Sequence, residues 1–434
     1  MRAYVEKIND SYMVYLPDSL RFFRANKETV DVINGILDNK SFSIIKENFP
    51  NLSLDTYNKL LSELSNGIEK SDQLEVPLDI LPRLVINISN SCNLGCRYCY
   101  ANGGVYSSKD SLMSMDILEK TLDTFYNIYR GIGTIQLFGG EPTLNLAAIK
   151  YLCEYIKTRN HQTGIGIVTN GTIMTDELIN MIKDYKIYVT VSLDHYSIHN
   201  KLRPFKNQNG SYDIIIKNLK KLKVITGQPN QVEVTYTKLH EKLDISISDI
   251  ILKLKDEVGV MSVHVAPVCT DISTYRLDDI NSFLQSVDEY FNKLHTSEEF
   301  RYSYVDRFLH PLRDKEPNHH FCSAGYGTLS VASDGTLYPC FFFIDKSEYK
   351  IGNVMEDTNI LKDKLYEINK RYQFFDRNIL EKCKDCFANT VCFGCLGVNE
   401  YYTGDCNEST DFQCLIVKKG LLKILRHKLI TTQA

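Results

Sequence analysis

Between about residue 83 and residue 300 the chain alternates apolar runs with helical stretches six times over. The runs are Leu84–Ile88, Thr134–Phe138, Gly164–Thr169, Ile187–Leu193, Val232–Tyr236 and Ser262–Ala266. Helical segments such as Ser114–Tyr129 and Tyr212–Ile225 lie between them. Strands rich in Val, Ile and Leu, spaced by helices, predict a parallel sheet covered by helices, an α/β fold. In barrels of this type the chemistry sits in the loops that follow the strands. The unusual residues of this sequence fall in those loops.

The first run is followed by Cys92-Asn93-Leu94-Gly95-Cys96-Arg97-Tyr98-Cys99, a C-x3-C-x2-C spacing. Three thiolates on one short loop suit three irons of a four-iron cube and leave the fourth iron free for a small chelating molecule. Zinc loops pair cysteines as C-x2-C with a second pair far away, which this spacing fits poorly. Gly139-Gly140-Glu141-Pro142 follows the second run. Its glycines let backbone approach a ligand, and Glu141 or the loop carbonyls can accept hydrogen bonds from an ammonium group. Thr169-Asn170-Gly171 ends the third run and Ser192-Leu193-Asp194 the fourth. Arg203 offers a fork of donors suited to a carboxylate.

Eight of the 13 cysteines fall between 322 and 414. Cys322 is followed by Gly335-x4-Cys340, then Cys383-x2-Cys386-x5-Cys392-x2-Cys395, then Cys406 and Cys414. Cys153 lies in an apolar helical run and reads as buried filler. Cys269, after the sixth strand, faces the active end and reads as structural.

These motifs resemble the radical S-adenosylmethionine (SAM) enzymes, and the C-terminal cysteines resemble the SPASM domain of a subset of that family. The resemblance implies a partial (β/α)6 TIM-like barrel, a SAM-binding [4Fe–4S] cluster on Cys92, Cys96 and Cys99, and two auxiliary [4Fe–4S] clusters. It implies that Gly139, Gly140, Glu141 and Pro142 bind the SAM amino group. Tyr98 matches the aromatic before the third cysteine. Asn170 is implied to touch SAM, Ser192 its carboxylate or ribose, and Arg203 its carboxylate. His195 stands where the family has glycine after Ser192-Leu193-Asp194. Carried over by position, Cys322, Cys340 and Cys395 hold the first auxiliary cluster, and Cys383, Cys386, Cys392 and Cys414 the second. Cys392 and Cys395 are two residues apart where the family has three. The stretch from Ser323 to Pro339 has no cysteine. Either Cys406 supplies a fourth ligand to the first auxiliary cluster or one iron there stays open.

Residues 1–70 read as three short strands, Tyr4–Ile8, Tyr12–Leu16 and Leu20–Arg24, then helices over Lys27–Leu37, Phe42–Asn48 and Leu54–Leu64. This order resembles the winged-helix-like recognition element of RiPP maturases, where a leader peptide adds a strand to a sheet edge. Residues 71–82 read as a linker, 83–305 as the barrel and 306–434 as the SPASM domain.

The resemblance narrows to peptide maturases of the sactipeptide and ranthipeptide type. It implies an oxidoreductase that abstracts hydrogen from a precursor peptide and closes an intramolecular cross-link, a cysteine thioether ahead of a carbon–carbon bond. The other outcomes are side-chain oxidation of the anaerobic sulfatase-maturase type, or a zinc-rich peptide-binding scaffold. Sulfatase maturases carry an aspartate directly after the G-x4-C cysteine; Phe341 stands there and has no proton-accepting group. A low-potential reductant such as flavodoxin or ferredoxin is implied. Net charge is −4 with no basic stripe, so no nucleic-acid partner is expected. No apolar signal core or membrane span is visible, which with so many cysteines predicts a cytoplasmic protein.

Overall fold

The computed structural model describes residues 1–66, 79–106, 109–294 and 300–431. Three antiparallel strands open the chain: β1 (Tyr4–Ile8), β2 (Ser11–Leu16) and β3 (Arg21–Ala25), in the order β1-β2-β3. Three helices follow at Lys27–Leu37, Phe42–Asn48 and Leu54–Ser65. Asn26 and Ser53 start the first and third by accepting the Thr29 and Thr56 N–H groups at 2.8 and 3.0 Å, as capping residues do. Val14, Leu16 and Ala25 pack against Val30, Ile33 and Ile36 in a small core of their own. Met13, Tyr15 and Leu20 instead join the main core of the molecule.

The N-terminal sheet is therefore buried on both sides. Tyr4 stacks on Phe387 at 4.0 Å, and the Thr390 hydroxyl donates to the Pro17 carbonyl at 2.8 Å. Lys315 donates to the Leu20 carbonyl at 2.9 Å, and Arg426 pairs with Glu6 at 2.7 Å.

The central sheet has ten strands. Six run parallel and in chain order: β4 (Ile80–Ser89), β5 (Gly131–Gly139), β6 (Gly164–Thr169), β7 (Tyr188–Ser192), β8 (Gln231–Tyr236) and β9 (Ser262–Pro267). These are the six expected strands. β4 starts earlier than the sequence suggested: Ile80 to Pro82, assigned to the linker, are its first residues, and residues 71–78 of that linker, with 67–70 before them, lie outside the described residues. Pro82 precedes the point where another strand joins β4 on its second side, so no ladder is broken there. β10 (Arg301–Tyr302) adds parallel to β9. At the other end β11 (Thr328–Val331) runs parallel to β4, with Leu329 beside Leu84, and β12 (Thr336–Tyr338) and β13 (Gly352–Asn353) follow antiparallel.

Burial alternates along the strands. Val189, Val191, Val232, Val234, Val263 and Val265 are buried under the helices, while Thr190, Ser192, Glu233, Thr235 and His264 on the other face are only half-buried. A period of two is what a strand imposes. The helix Met115–Ile128, capped by Ser114, covers the sheet with Leu118, Leu122 and Phe125. Each such side chain contributes roughly 1.5–3 kcal/mol by leaving water.

Candidate functional site

Cys92, Cys96 and Cys99 lie on the loop after β4. The loop is fastened to the segment after the fourth strand, where the Gly95 and Arg97 N–H groups donate to the Pro204 and Leu202 carbonyls, both at 2.8 Å. It is also pressed against the loop after β5. A Cβ on Gly140 would stand 2.4 Å from the Ser91 carbonyl oxygen, and one on Gly104 the same distance from the Gly140 Cα. No side chain fits at either position.

Burial pushes the Cys92 thiol up to about 11, with the Glu141 carboxylate adding to it. Burial takes Cys96 to about 12 against the opposing pull of the Arg203 guanidinium, and Cys99 and Cys92 raise it further. Thiols packed together in this way ionise jointly only around bound positive charge. The Leu94 N–H and the Asn170 amide, the latter at 3.8 Å, point at the Cys92 sulfur and suit a thiolate there. Among the described residues no three His, Cys, Asp or Glu side chains converge as one metal ion requires. Three thiols carried on one short loop are the donor set that suits three irons of a four-iron cube.

Glu141 is fully buried and its carboxylate is already engaged. Oε1 accepts from the Thr143 N–H at 3.1 Å, the Thr143 hydroxyl at 2.7 Å and the Thr169 hydroxyl at 2.6 Å; Oε2 accepts the Asn170 N–H at 2.7 Å. Burial still leaves its pKa raised despite these bonds. Of the two acceptors the sequence offered for an ammonium group, the side chain serves instead to tie the end of β6 to the loop after β5; of the loop carbonyls, those of Glu141 and Pro142 accept the Leu144 and Asn145 N–H groups at 3.2 and 2.9 Å. Asn170 bridges onward: its amide donates to Asn93 Oδ1 at 2.9 Å.

A second buried network centres on Asp194. Oδ2 accepts the Tyr98 hydroxyl at 2.6 Å and the Arg203 Nε at 3.1 Å, and Oδ1 accepts the Thr235 N–H at 3.1 Å. Burial alone would raise the Asp194 carboxyl, but the Arg203 guanidinium beside it outweighs burial and holds it below the usual range. The Arg203 guanidinium lies 5.4 Å over the Tyr98 ring. Behind Asp194, His199 Nδ1 accepts the Asp194 N–H at 3.1 Å while Nε2 meets the Ser211 hydroxyl at 3.0 Å. Burial lowers that ring to about 4, so it is neutral. Sequence reading missed His199, whose position carries no motif that would have flagged it. Ser192 stands half-buried at the end of β7, in register with Glu233 on β8. Burial raises the Glu233 carboxyl, against Arg203 and Arg83.

Among the C-terminal cysteines, Cys322 and Cys340 are both raised first by burial and then by Cys395, Cys340 to about 12. Backbone N–H groups point at these sulfurs: Ala324 and Leu396 at Cys322, Phe342 at Cys340, Gly397 and Val398 at Cys395. Cys383, raised to about 11 by burial, also feels Cys392, Cys414 and Cys386. Those four thiols line one cavity with Arg377 and Lys382. The fold thus brings Cys322, Cys340 and Cys395 near one another, and Cys383, Cys386, Cys392 and Cys414 near one another. Cys406 is buried in the apolar cluster against which Cys322 and Cys340 pack, with its thiol on the Tyr349 hydroxyl, near Glu400. Cys269 instead has Cys395 as a neighbour.

Comparison with known families decides what these loops belong to. Residues 86–254 match the Radical SAM superfamily, and residues 322–387 match SPASM, an iron–sulfur cluster-binding domain. The chain is a radical SAM enzyme with a SPASM domain. The cofactors of this radical SAM enzyme are a [4Fe–4S] cluster and SAM, with auxiliary iron–sulfur clusters in its SPASM domain. It is 28% identical over 338 residues to the cysteine-type anaerobic sulfatase-maturating enzyme of Clostridium novyi (strain NT), covering 72% of this chain and 86% of the relative. It is 25% identical over 371 residues to the antilisterial bacteriocin subtilosin biosynthesis protein AlbA of Bacillus subtilis (strain 168), covering 80% and 75%. Its fold is similar to that of Streptococcus suis SuiB bound to S-adenosylmethionine, with a TM-score of 0.55 and 17% identity over 95% of this chain and 98% of that one. Among the described residues, no helix of the radical SAM enzyme is long and apolar enough to cross a membrane.

Proposed function

We propose that this enzyme matures a ribosomally made precursor peptide and closes an intramolecular thioether between a cysteine sulfur and an acceptor carbon. The observation that carries the reading is the N-terminal domain. The free edge of β3 borders a groove lined by Phe22, Phe23, Leu60, Lys59, Lys315 and Lys428. An extended leader on that edge gains main-chain hydrogen bonds, and its alternate side chains enter the groove. Three lysines beside apolar rings suit an acidic, partly apolar leader. Residues 1–70 act as the recognition element, 83–305 as the barrel and 306–434 as the auxiliary-cluster domain. The relation to AlbA, a bacteriocin biosynthesis protein, supports a peptide substrate.

The residues divide the work as follows. Cys92, Cys96 and Cys99 hold the SAM-binding cluster. The carbonyls of Gly139, Gly140 and Pro142 take the SAM amino group, while Glu141 fixes their loop. Asn170 and Ser192 would border SAM, and Arg203, oriented through Nε by Asp194 and by the Tyr98 ring, would offer its terminal nitrogens to the SAM carboxylate. When bound, SAM and its cluster supply a carbon-centred radical that removes hydrogen from the acceptor carbon. Because such a radical is indiscriminate, the leader domain fixes the peptide before SAM is cut. A small low-potential protein, flavodoxin or ferredoxin, supplies the electron. Side-chain oxidation of the sulfatase-maturase type is disfavoured, because Phe341 packs on Phe138 at 4.6 Å where a base is needed.

Carbon–carbon coupling is the second reading. It requires no open iron in the first auxiliary set. Anaerobic incubation of the enzyme with SAM, dithionite and the short peptide encoded beside it, followed by mass spectrometry, tests both. Loss of two hydrogens with no free cysteine left to alkylate supports the thioether. The same loss with every cysteine still alkylated supports carbon–carbon coupling, and a new carbonyl overturns both.

A further inference from the structure

The thiols Cys383, Cys386, Cys392 and Cys414 share their cavity with three cations, Arg377, Lys382 and Lys418, and among the described residues no carboxylate lines it. Two of the cations are answered at the cavity's outer side. Lys382 donates to the Ser409 carbonyl and to Asp411 Oδ1, both at 2.8 Å, and Lys418 also acts on Asp411. Arg377 is different. It is 0% exposed and is the largest side chain wholly removed from water. Its Nε donates to the His319 carbonyl at 3.2 Å, Nη1 to the Cys392 carbonyl at 2.6 Å, and Nη2 to the Asn318 carbonyl. All three acceptors are neutral. The adjacent Asp376 is turned to Asn378, whose N–H and side-chain amide it accepts at 2.8 and 3.2 Å. A guanidinium has more N–H groups than these three bonds use, and each terminal nitrogen keeps one. The Cys392 thiol lies within their reach, and the Phe321 ring sits 5.3 Å from the guanidinium carbon.

A cation taken out of water is destabilising unless a counter-charge meets it. Neutral thiols and carbonyls supply none. Four thiolates around an iron–sulfur core are anionic, and the electron added on reduction makes them more so. We infer that Arg377 is the buried counter-ion of the second auxiliary cluster, clamping the Cys392 loop to the segment that leads to Cys322 and easing the cluster's one-electron reduction. The inference rests on the reading of Cys383, Cys386, Cys392 and Cys414 as one cluster's ligands, and not on which bond the enzyme makes. The step it governs is a single electron transfer, in which the donor is oxidised, the cluster core is reduced and no bond forms or breaks.

A dithionite titration followed by electron paramagnetic resonance tests this without turnover. The holoprotein carries Ala at positions 92, 96 and 99, so that only auxiliary clusters contribute. Replacing Cys383 and Cys386 with Ala in that protein identifies the second cluster by removing its signal and its iron; if iron content is unchanged, the ligand reading fails and the inference with it. Arg377→Gln should make the second cluster at least tenfold harder to reduce, a fall of about 59 mV for a one-electron couple. Arg377→Lys keeps the charge without the fork, and should recover most of that fall. An unchanged potential in Arg377→Gln overturns the inference, and so does an equal fall in both variants, which is what lost packing alone would give. A second measurement leaves Arg377 in place. With arginine labelled by nitrogen-15 in its guanidinium, pulsed resonance on the reduced second cluster should show a nitrogen-15 coupling that disappears in Arg377→Lys. Absence of that coupling, or its survival in Arg377→Lys, overturns the inference even where Arg377→Gln fails to load iron.

Discussion

The rings of Tyr4 and Phe387 stack at 4.0 Å with 26° between their planes. Tyr4 belongs to the N-terminal sheet, and Phe387 lies between Cys386 and Cys392 in the second set of auxiliary thiols. The proposed leader domain thus rests directly on a cysteine loop. Tyr4→Ala removes a contact of about 0.5–1.5 kcal/mol beyond its buried area. Amide hydrogen exchange in β1, β2 and β3 should then be faster than in the parent.

The three cysteines after β4 are expected to be indispensable for SAM cleavage. Replacing Cys92, Cys96 and Cys99 with Ala should abolish 5′-deoxyadenosine formation, read by chromatography of the reaction with dithionite. An unchanged yield would refute the central site.

Asp194 and Arg203 form an ion pair almost wholly out of water, with side chains 0% and 10% exposed. Asp194→Asn strands the guanidinium and should cost ~3–5 kcal/mol. Removing both charges, as Asp194→Asn with Arg203→Met, should cost less than the single change. Thermal unfolding of the three proteins gives the comparison.

His199 and His240 are both lowered by burial to about 4, below the ordinary value of 6.5. A ring that resists protonation when folded binds fewer protons than the unfolded chain. Its contribution is complete above pH 6.5 and is lost as pH falls from there toward 4. Each ring is worth about 3 kcal/mol at most. His199→Asn keeps an acceptor near the Asp194 N–H and cannot titrate, so melting temperature should fall less steeply between pH 6.5 and 4.5 than in the parent.

Charge in the β3 groove should set leader affinity. Lys59→Glu is expected to weaken binding of an acidic leader roughly tenfold, about 1.4 kcal/mol, measured by fluorescence anisotropy at low salt. Raising ionic strength should narrow the difference.

Much of this was legible in the sequence because the barrel strands are long enough to show their pattern. Ile165, Val189 and Val232 announce strands by run length and branching alone, and Ser53 announces a helix by its cap. The strands β10 to β13 have two to four residues each and carry no period that a reader can find. Their pairing is a tertiary matter. The SPASM resemblance grouped Cys383, Cys386, Cys392 and Cys414 by position, and the fold brings those four thiols to one cavity. Spacing is silent about the loop of Cys269, which meets the helix Leu396–Thr403 through the Tyr402 hydroxyl by folding alone. Glu141 shows the converse limit. Its place in the motif was plain, but only the surrounding hydroxyls of Thr143 and Thr169 show that its charge is already committed.

β11 lies hydrogen-bonded against β4, residue for residue from Thr328 beside Arg83 to Val331 beside Ile86. In the proposed function the auxiliary clusters take up the electron that bond closure releases, and the reactive centre and this acceptor are thereby mounted on adjoining rails of one lattice. Tunnelling between them depends steeply on separation, and here main-chain pairing sets that separation. Loop insertions and surface drift can reshape what the enzyme accepts while leaving the wire the same length.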